Sequence, residues 1–307
     1  MRFPASLISS CTRALYESLS IDIMSKVARM LDDSFDLYRV ANMRESIPIT
    51  SQHAADVIVK ELLRQGMFVD LIETLITVDT RGIMGRRYTI GSLGELAKGL
   101  SAIGFLYDKV NNLFMEDPRL KASYNFGRLQ EGGEYPLALL RLDIVQNSKI
   151  VRKYPKEHVE KAYQLLYEMV EHKVHKRWGR IWSWEGDGGV AAFYYGHKQT
   201  QAALTAMDLI QGVFLFNTFK NPLEMPIQVR IAVHYGVQKF SQDQSVWKKS
   251  DTARIAVEME SKACNPDEAV ISTNIETALE RNLAQLFEPK KNVSSYQVHC
   301  YRIRMEE

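Results

Sequence analysis

Apolar side chains recur four apart at Leu15, Leu19, Ile23, Val27 and Leu31, so residues 14–31 are predicted to form an amphipathic helix. Residues 51–77 continue the pattern with Val57, Val59, Leu62, Leu63, Phe68, Leu71 and Leu75. After Pro48, Ser51 and Gln52 supply polar groups for that helix start. Residues 95–115 are a third helical segment, and 80–88 (TRGIMGRRY) is a turn-rich break before it. The pattern changes at 129–137 (LQEGGEYPL), where glycines, glutamates and a proline mark 129–136 as a linker. Beyond it the periods alternate. Residues 137–145 (LALLRLDIV) read as a strand, 156–177 as a helix with Pro155 near its start, and 180–195 as two arms around a turn. Residues 200–219 are helical, 227–235 (IQVRIAVHY) alternate as a strand, and 251–264 are helical. Residues 269–273 form a strand, 274–286 a helix and 294–303 a final strand.

This order predicts an α+β chain: a mainly helical N-terminal domain over 1–128, then an α/β sheet domain over 137–307. A length of 307 residues accommodates both. The formal charge of +2 gives no global nucleic-acid signature. No stretch approaches the roughly 20 apolar residues that span a bilayer. Residues 7–11 (LISSC) resemble a bacterial lipoprotein cleavage site, but the apolar run before them is shorter than a roughly 7–15-residue signal core. Three cysteines, Cys11, Cys264 and Cys300, are odd in number and far apart in sequence. Reduced thiols in a cytoplasmic protein are therefore expected.

The helical part collects no carboxylates, histidines or glycines for chemistry. The sheet part does. Asp143 ends an apolar strand, where an unpaired carboxylate is costly, so it needs a partner, a cation or a role as helix N-cap. Ser148 is the rival cap. Asp187 sits in 182–195 (WSWEGDGGVAAFYY), and Asp-Gly between apolar arms is a strong hairpin signal. An aspartate at a strand end and another in a neighbouring hairpin can meet. Facing carboxylates repel unless a divalent ion lies between them, and Mg²⁺ or Mn²⁺ is commonly held so. The glycines would let phosphate and ion come close. His172 and His175, three apart on a helix, lack further ligands nearby and read as a solvated face.

Several motifs resemble the class III nucleotidyl (adenylate/guanylate) cyclase catalytic domain. Residues 140–150 (LRLDIVQNSKI) resemble its first metal-binding strand and turn, and EGDGG its second aspartate hairpin. Residues 229–236 (VRIAVHYG), 250–261 (SDTARIAVEMES) and 268–272 (EAVIS) resemble the later strand, helix and strand, in order, over roughly 135–303. The resemblance implies a ferredoxin-like α/β sandwich and a head-to-tail homodimer with sites at its interface. It implies Mg²⁺ or Mn²⁺ on Asp143 and Asp187, and a nucleoside triphosphate as partner. The triphosphate turn would be Ile144, Val145, Gln146, Asn147 and Ser148, with Gln146 and Asn147 in place of the usual glycine and phenylalanine. Lys290 falls near a phosphate-contacting lysine.

Other positions depart from the family. Ser183 and Trp247 stand at the base-selecting positions, and Trp247 offers a ring to stack on a base. Arg254 replaces the ribose-orienting asparagine, and Glu258 the arginine that stabilises developing phosphate charge. Arg254, one turn earlier on the same helix face, is the candidate substitute. Two functions follow: a divergent cyclase making a 3′,5′-cyclic nucleotide in signalling, or a degenerate cyclase-like module for nucleotide sensing or dimerisation. The helical order over roughly 21–78 resembles the death-fold-like adaptor domains found next to bacterial effectors, which implies recruitment of a protein partner.

Overall fold

Backbone breaks cut the long helices expected near the start of the chain. In the computed structural model, which describes residues 3–293 and 295–304, the chain divides into two units, Met1–Lys121 and Ala122–Glu307. In the first, α1 (Ala5–Ser18) and α2 (Ile21–Leu31) are separated by Leu19 and Ser20 in extended conformation. The stretch 7–11 lies inside α1, with Leu7 and Cys11 buried. After the single turn α3 (Leu37–Val40) come α4 (Ser51–Arg64) and α5 (Phe68–Thr80). Thr50, not Ser51, caps α4, its hydroxyl accepting from the His53 amide at 3.3 Å.

Only the first part of 95–115 is helical, as α6 (Leu93–Ala102). The rest is a hairpin, β1 (Phe105–Asp108) and β2 (Leu113–Glu116), paired antiparallel. Gly104, at φ +93°, turns the chain out of the helix. The Asp108 carboxylate accepts from the Val110 amide at 2.9 Å and the Asn111 amide at 3.3 Å, which fixes the hairpin turn. Of the predicted apolar positions, Leu15, Leu19, Val27, Val59, Leu62, Phe68, Leu71 and Leu75 are buried in one core, Ile23, Leu31, Val57 and Leu63 pack against it only partly buried, and Met24 and Ile58 take the core places beside them.

The second unit runs β3 (Glu134–Ile144), α7 (Asn147–Lys153), α8 (Lys156–Lys176), β4 (Arg180–Glu185), β5 (Gly188–Phe193), α9 (Lys198–Phe219) and β6 (Val229–Lys239). It continues with α10 (Gln244–Trp247), α11 (Asp251–Ala263), β7 (Glu268–Ser272), α12 (Thr273–Glu276), α13 (Arg281–Ala284), β8 (Glu288–Val293) and β9 (Tyr296–Arg302). The sheet order is β4-β5-β3-β6-β7-β9-β8. Within it, β3-α8-β4-β5-α9-β6 is a ferredoxin-like βαββαβ core whose neighbouring strands are all antiparallel. β7 joins β6 in parallel across α11, and β9 and β8 complete that edge antiparallel. The α+β class and the mixed sheet agree with the sequence expectation.

Three local differences stand out. The helix expected over 274–286 is two single turns, β8 was not anticipated, and the last strand starts at Tyr296, Ser294 lying outside the described residues. The stretch 129–136 is tied into the sheet unit. Gly132 donates to the Phe240 carbonyl, Phe240 donates to that of Gly133, and 134–136 already belong to β3.

Side chains alternate across each strand, so the sheet has two faces. Leu140, Leu142, Ile144, Val229, Ile231, Val233, Ala269 and Ile271 share one, in the core that includes buried residues of α8 and α9. Among the described residues α9 alone is long and apolar enough to cross a membrane, and here Ala202, Leu209 and Val213 are buried in that core. The other face carries Arg141, Asp143, Arg230, His234, Glu268 and Ser272, and α11 packs on it through Met259 and Ala263.

Candidate functional site

Strand register brings the backbone of the two aspartates together. β3 pairs with β5 so that Asp143 is opposite Gly188, one residue from Asp187 in the β4–β5 turn. The Ile144 amide donates to the Asp187 carbonyl at 2.8 Å and locks that approach. Gly188 is required by it: a Cβ there would fall on the Leu142 carbonyl oxygen, and one at Gly189 on that of Ser183. The glycines expected to make room for phosphate and ion thus have a duty in strand packing.

Asp143 is held by cations. Its Oδ2 accepts from Arg230 Nη2 at 2.7 Å, and its Oδ1 lies 3.4 Å from Arg141 Nη2. Arg230 Nε is in turn ion-paired at 2.7 Å with Glu260 of α11, whose side chain is 5% exposed. Burial pushes the Glu260 carboxyl above the usual range, and the charges of Asp143 and Asp187 add to it. Neither Asp143 nor Ser148 caps α7, because the N-cap is Gln146, at φ +55° and without a side-chain cap.

Asp187 is held by a neutral chain instead. Asn147 Nδ2 donates to its Oδ2 at 2.8 Å, and the Tyr163 hydroxyl donates to Asn147 Oδ1 at 2.6 Å. Burial, with the Asp187 charge nearby, pushes the Tyr163 phenol up to about 12, so it stays a donor. In the turn, the Ile144 and Val145 amides are already engaged, by the carbonyls of Asp187 and Gln228. Gln146, Asn147 and Ser148 stand at the start of α7, where amides have no intrahelical acceptor.

The remaining candidates are dispersed. Ser183 is buried on β4 and lines a cleft of about 400 Å³ with Tyr124, Tyr167, Glu171, His175 and Gln244. Trp247 is 1% exposed. Its Nε1 donates to the Tyr124 hydroxyl at 2.8 Å and its ring packs on Trp182 at 5.6 Å, so it is core and not open to a base. Arg254 is 67% exposed and paired with Asp251 at 2.8 Å. Glu258 is ion-paired with Lys262 on the same helix. Lys290 is paired with Glu268, which the register sets beside Arg230 on the Asp143 face. His175 is half-buried, and burial, with the Arg180 charge, holds its pKa below the usual value.

Sequence reasoning missed Arg141, Arg230, Glu260 and Tyr163 as members of this site. The signal was present: Arg141 is two residues before Asp143 and so on its strand face, and Arg230 alternates with the buried Val229 and Ile231.

The residues present fit a hard divalent cation in chemistry. Glu260 feels the charges of Asp143 and Asp187, while Arg141 and Arg230 are the guanidiniums beside Asp143. Three carboxylates against two guanidiniums leave one negative charge when all are ionised. Among the described residues no group of three or more metal-type ligands converges on one point. An ion would therefore complete its shell with water and phosphate oxygens, as Mg²⁺ does.

No family model and no curated protein matches the chain. Solved adenylyl and guanylyl cyclase domains are similar to it at low identity. The guanylate cyclase domain of RhGC from Catenaria anguillulae, in complex with GTP, is 17% identical with a TM-score of 0.47, covering 56% of this chain and 100% of that one. The adenylyl cyclase CyaB from P. aeruginosa is 15% identical with a TM-score of 0.48, covering 58% and 98%. An adenylate/guanylate cyclase/hydrolase from Silicibacter pomeroyi is 17% identical with a TM-score of 0.47, covering 56% and 99%. The GTP of the first belongs to that protein.

Proposed function

We propose that the sheet unit is a divergent class III nucleotidyl cyclase that forms a 3′,5′-cyclic nucleotide from a nucleoside triphosphate in cytoplasmic signalling. One observation carries this reading: the β3–β5 register that brings Asp143 beside the Asp187 turn, next to the start of α7. Asp143 and Asp187 would hold two Mg²⁺ or Mn²⁺ ions. When bound, such ions activate the 3′-hydroxyl and neutralise the leaving pyrophosphate. Arg230, braced by Glu260, fixes the rotamer of Asp143, and Asn147, braced by Tyr163, fixes that of Asp187. The amides of Gln146, Asn147 and Ser148 offer hydrogen bonds to phosphate oxygens. Arg254, exposed on α11, is the residue proposed to reach the site of a second copy in a homodimer. The N-terminal helical unit is proposed to regulate the cyclase or recruit a protein partner.

The test uses the purified full chain with Mn²⁺ and each of ATP, GTP, CTP and UTP. A cyclic product that Asp187→Ala abolishes supports the enzyme. No product from any of the four nucleotides, with the dimer verified, refutes it. A second reading, a nucleotide sensor without turnover, is favoured by the engagement of Asp143 with Arg230 and by Glu258 in place of an arginine. Calorimetry that detects nucleotide binding without product would select that reading.

A further inference from the structure

The cations around the aspartate pair differ in how firmly they are held. Arg230 lies 2.7 Å from both Asp143 and Glu260, so two carboxylates hold it closely, although its Nε, like that of Arg141, makes no aligned hydrogen bond among the described residues. Lys290 is taken by Glu268, and Lys248 by Glu185. Arg254 lies on the outer side of α11 with Asp251. Arg141 is different. Its contact to Asp143 is 3.4 Å long, well beyond the ~2.7–2.9 Å of a firm charge-assisted hydrogen bond. Its Nε is buried with no acceptor among the described residues, and its side chain is 24% exposed. It shares the sheet face of Asp143, under α11.

We propose that Arg141 is the guanidinium that binds the polyphosphate of the nucleotide, from within the same subunit as the aspartate pair. The proposal rests on the nucleotide-binding reading of this site. A loosely held arginine beside two carboxylates is a counterion waiting for a better acceptor. Phosphate oxygens brought to Asp143 and Asp187 by a divalent ion arrive beside it. A planar guanidinium takes two of them in a bidentate contact, which a single long contact to Asp143 does not match. The same movement frees Asp143 Oδ1, so release of Arg141 and loading of the ion favour each other.

The test is calorimetry on the full chain with Mn²⁺ and the non-hydrolysable α,β-methylene analogues of ATP, GTP, CTP and UTP, set beside Mn²⁺ affinity measured alone by electron paramagnetic resonance. Arg141→Met is expected to weaken the bound analogue at least tenfold while Mn²⁺ affinity alone stays equal or rises. Arg141→Lys is expected to recover part of the loss, since it keeps charge but not the fork. Lys156→Met, on the exposed surface of α8, controls for a general change of charge and should bind like wild type. Arg141→Gln, checked by thermal melting, replaces the methionine variant if that one fails to fold. Wild-type-like analogue binding in either folded variant overturns the proposal alone. No analogue binding by wild type with Mn²⁺ overturns the nucleotide reading and this proposal with it.

Discussion

The two faces of the seven-stranded sheet use the same strands for opposite ends. Leu142 and Ile231 point into a continuous apolar core, while their neighbours Asp143 and Arg230 point into an ionic cluster under α11. Unit Met1–Lys121 resembles the first face: among its described residues the buried polar side chains are Glu116 and Asp117 at the end of the hairpin, beside a large apolar core. The α11 face buries or half-buries Asp143, Arg230, His234, Gln238, Glu260, Glu268 and Ser272. Buried polar groups cost free energy unless each finds a partner. A face that spends stability on them is where chemistry is to be sought, and the apolar faces are what offset the cost.

The largest effects should come from the apolar face. Leu142→Ala removes a fully buried side chain and is expected to cost about 2–5 kcal/mol in urea denaturation, with little change between pH 5 and 8. A cost below ~1 kcal/mol would mean that this face is not the main source of stability. Next comes His234 on the polar face. Its Nδ1 lies 2.9 Å from Ser272 Oγ, and burial pushes its pKa from 6.5 down to about 4. A lowered histidine pKa gives stability that is full above the unfolded value and lost as pH falls through it toward the folded value. Wild type should therefore lose roughly 3 kcal/mol from this residue between pH 7 and 4, at ~1.4 kcal/mol per unit. His234→Leu should flatten that part of the curve, and equal pH slopes in both proteins would remove the argument.

Two glutamates sharpen the comparison, because burial is resolved in opposite directions. Burial raises Glu260, and Asp143 raises it further against the attraction of Arg230. Its favourable contribution is thus present below the ordinary glutamate range and lost as pH rises. Burial also pushes Glu268 up, but Lys290 and the Asn265 amide donors outweigh it and hold it low. Its contribution is present above the unfolded value and lost as pH falls. Relative to wild type, Glu260→Gln should gain stability from pH 4 to 7, and Glu268→Gln should lose it over the same window. The readout is the urea midpoint at each pH. Parallel slopes for the two variants would show that the network does not separate them.

Much of this was legible in the chain, for identifiable reasons. The alternation in VRIAVHY and the Asp-Gly turn are local signals, and both formed where expected, as β6 and the β4–β5 hairpin. The misreadings are those in which tertiary contacts decide. Residues 105–116 have enough apolar side chains for a helix, yet Gly104 and the Asp108 turn fold them as a hairpin. A helix cap is one of the readings open for Asp143 in the sequence; its side chain is instead held by Arg141, two residues away, and by Arg230, 87 residues away, which no local pattern joins to it. Glu260 was overlooked beside Glu258, although it follows Ala253 and Ala256 along the buried stripe of α11. Trp247 is an aromatic in a chain rich in them, and only the packing reveals that its ring is enclosed by Tyr124 and Trp182.

The smallest effect should come from the outer side of α11, and its smallness is informative. Arg254 and Asp251 are 67% and 85% exposed and pair three residues apart on one helix. Such a pair is screened by water and salt, so Arg254→Ala is expected to leave the melting temperature nearly unmoved in 0.5 M salt. Glu260, on the same helix but facing the sheet, is buried beside Arg230, so its replacement should move stability, and its dependence on pH, measurably more. If Arg254→Ala unfolds the protein, α11 is held from its outer side as well, and the division of the helix into a structural and a solvent face is wrong. If stability holds, any loss of cyclic product in that variant reports on chemistry alone. Arg254 is then tested as a residue that acts beyond its own subunit.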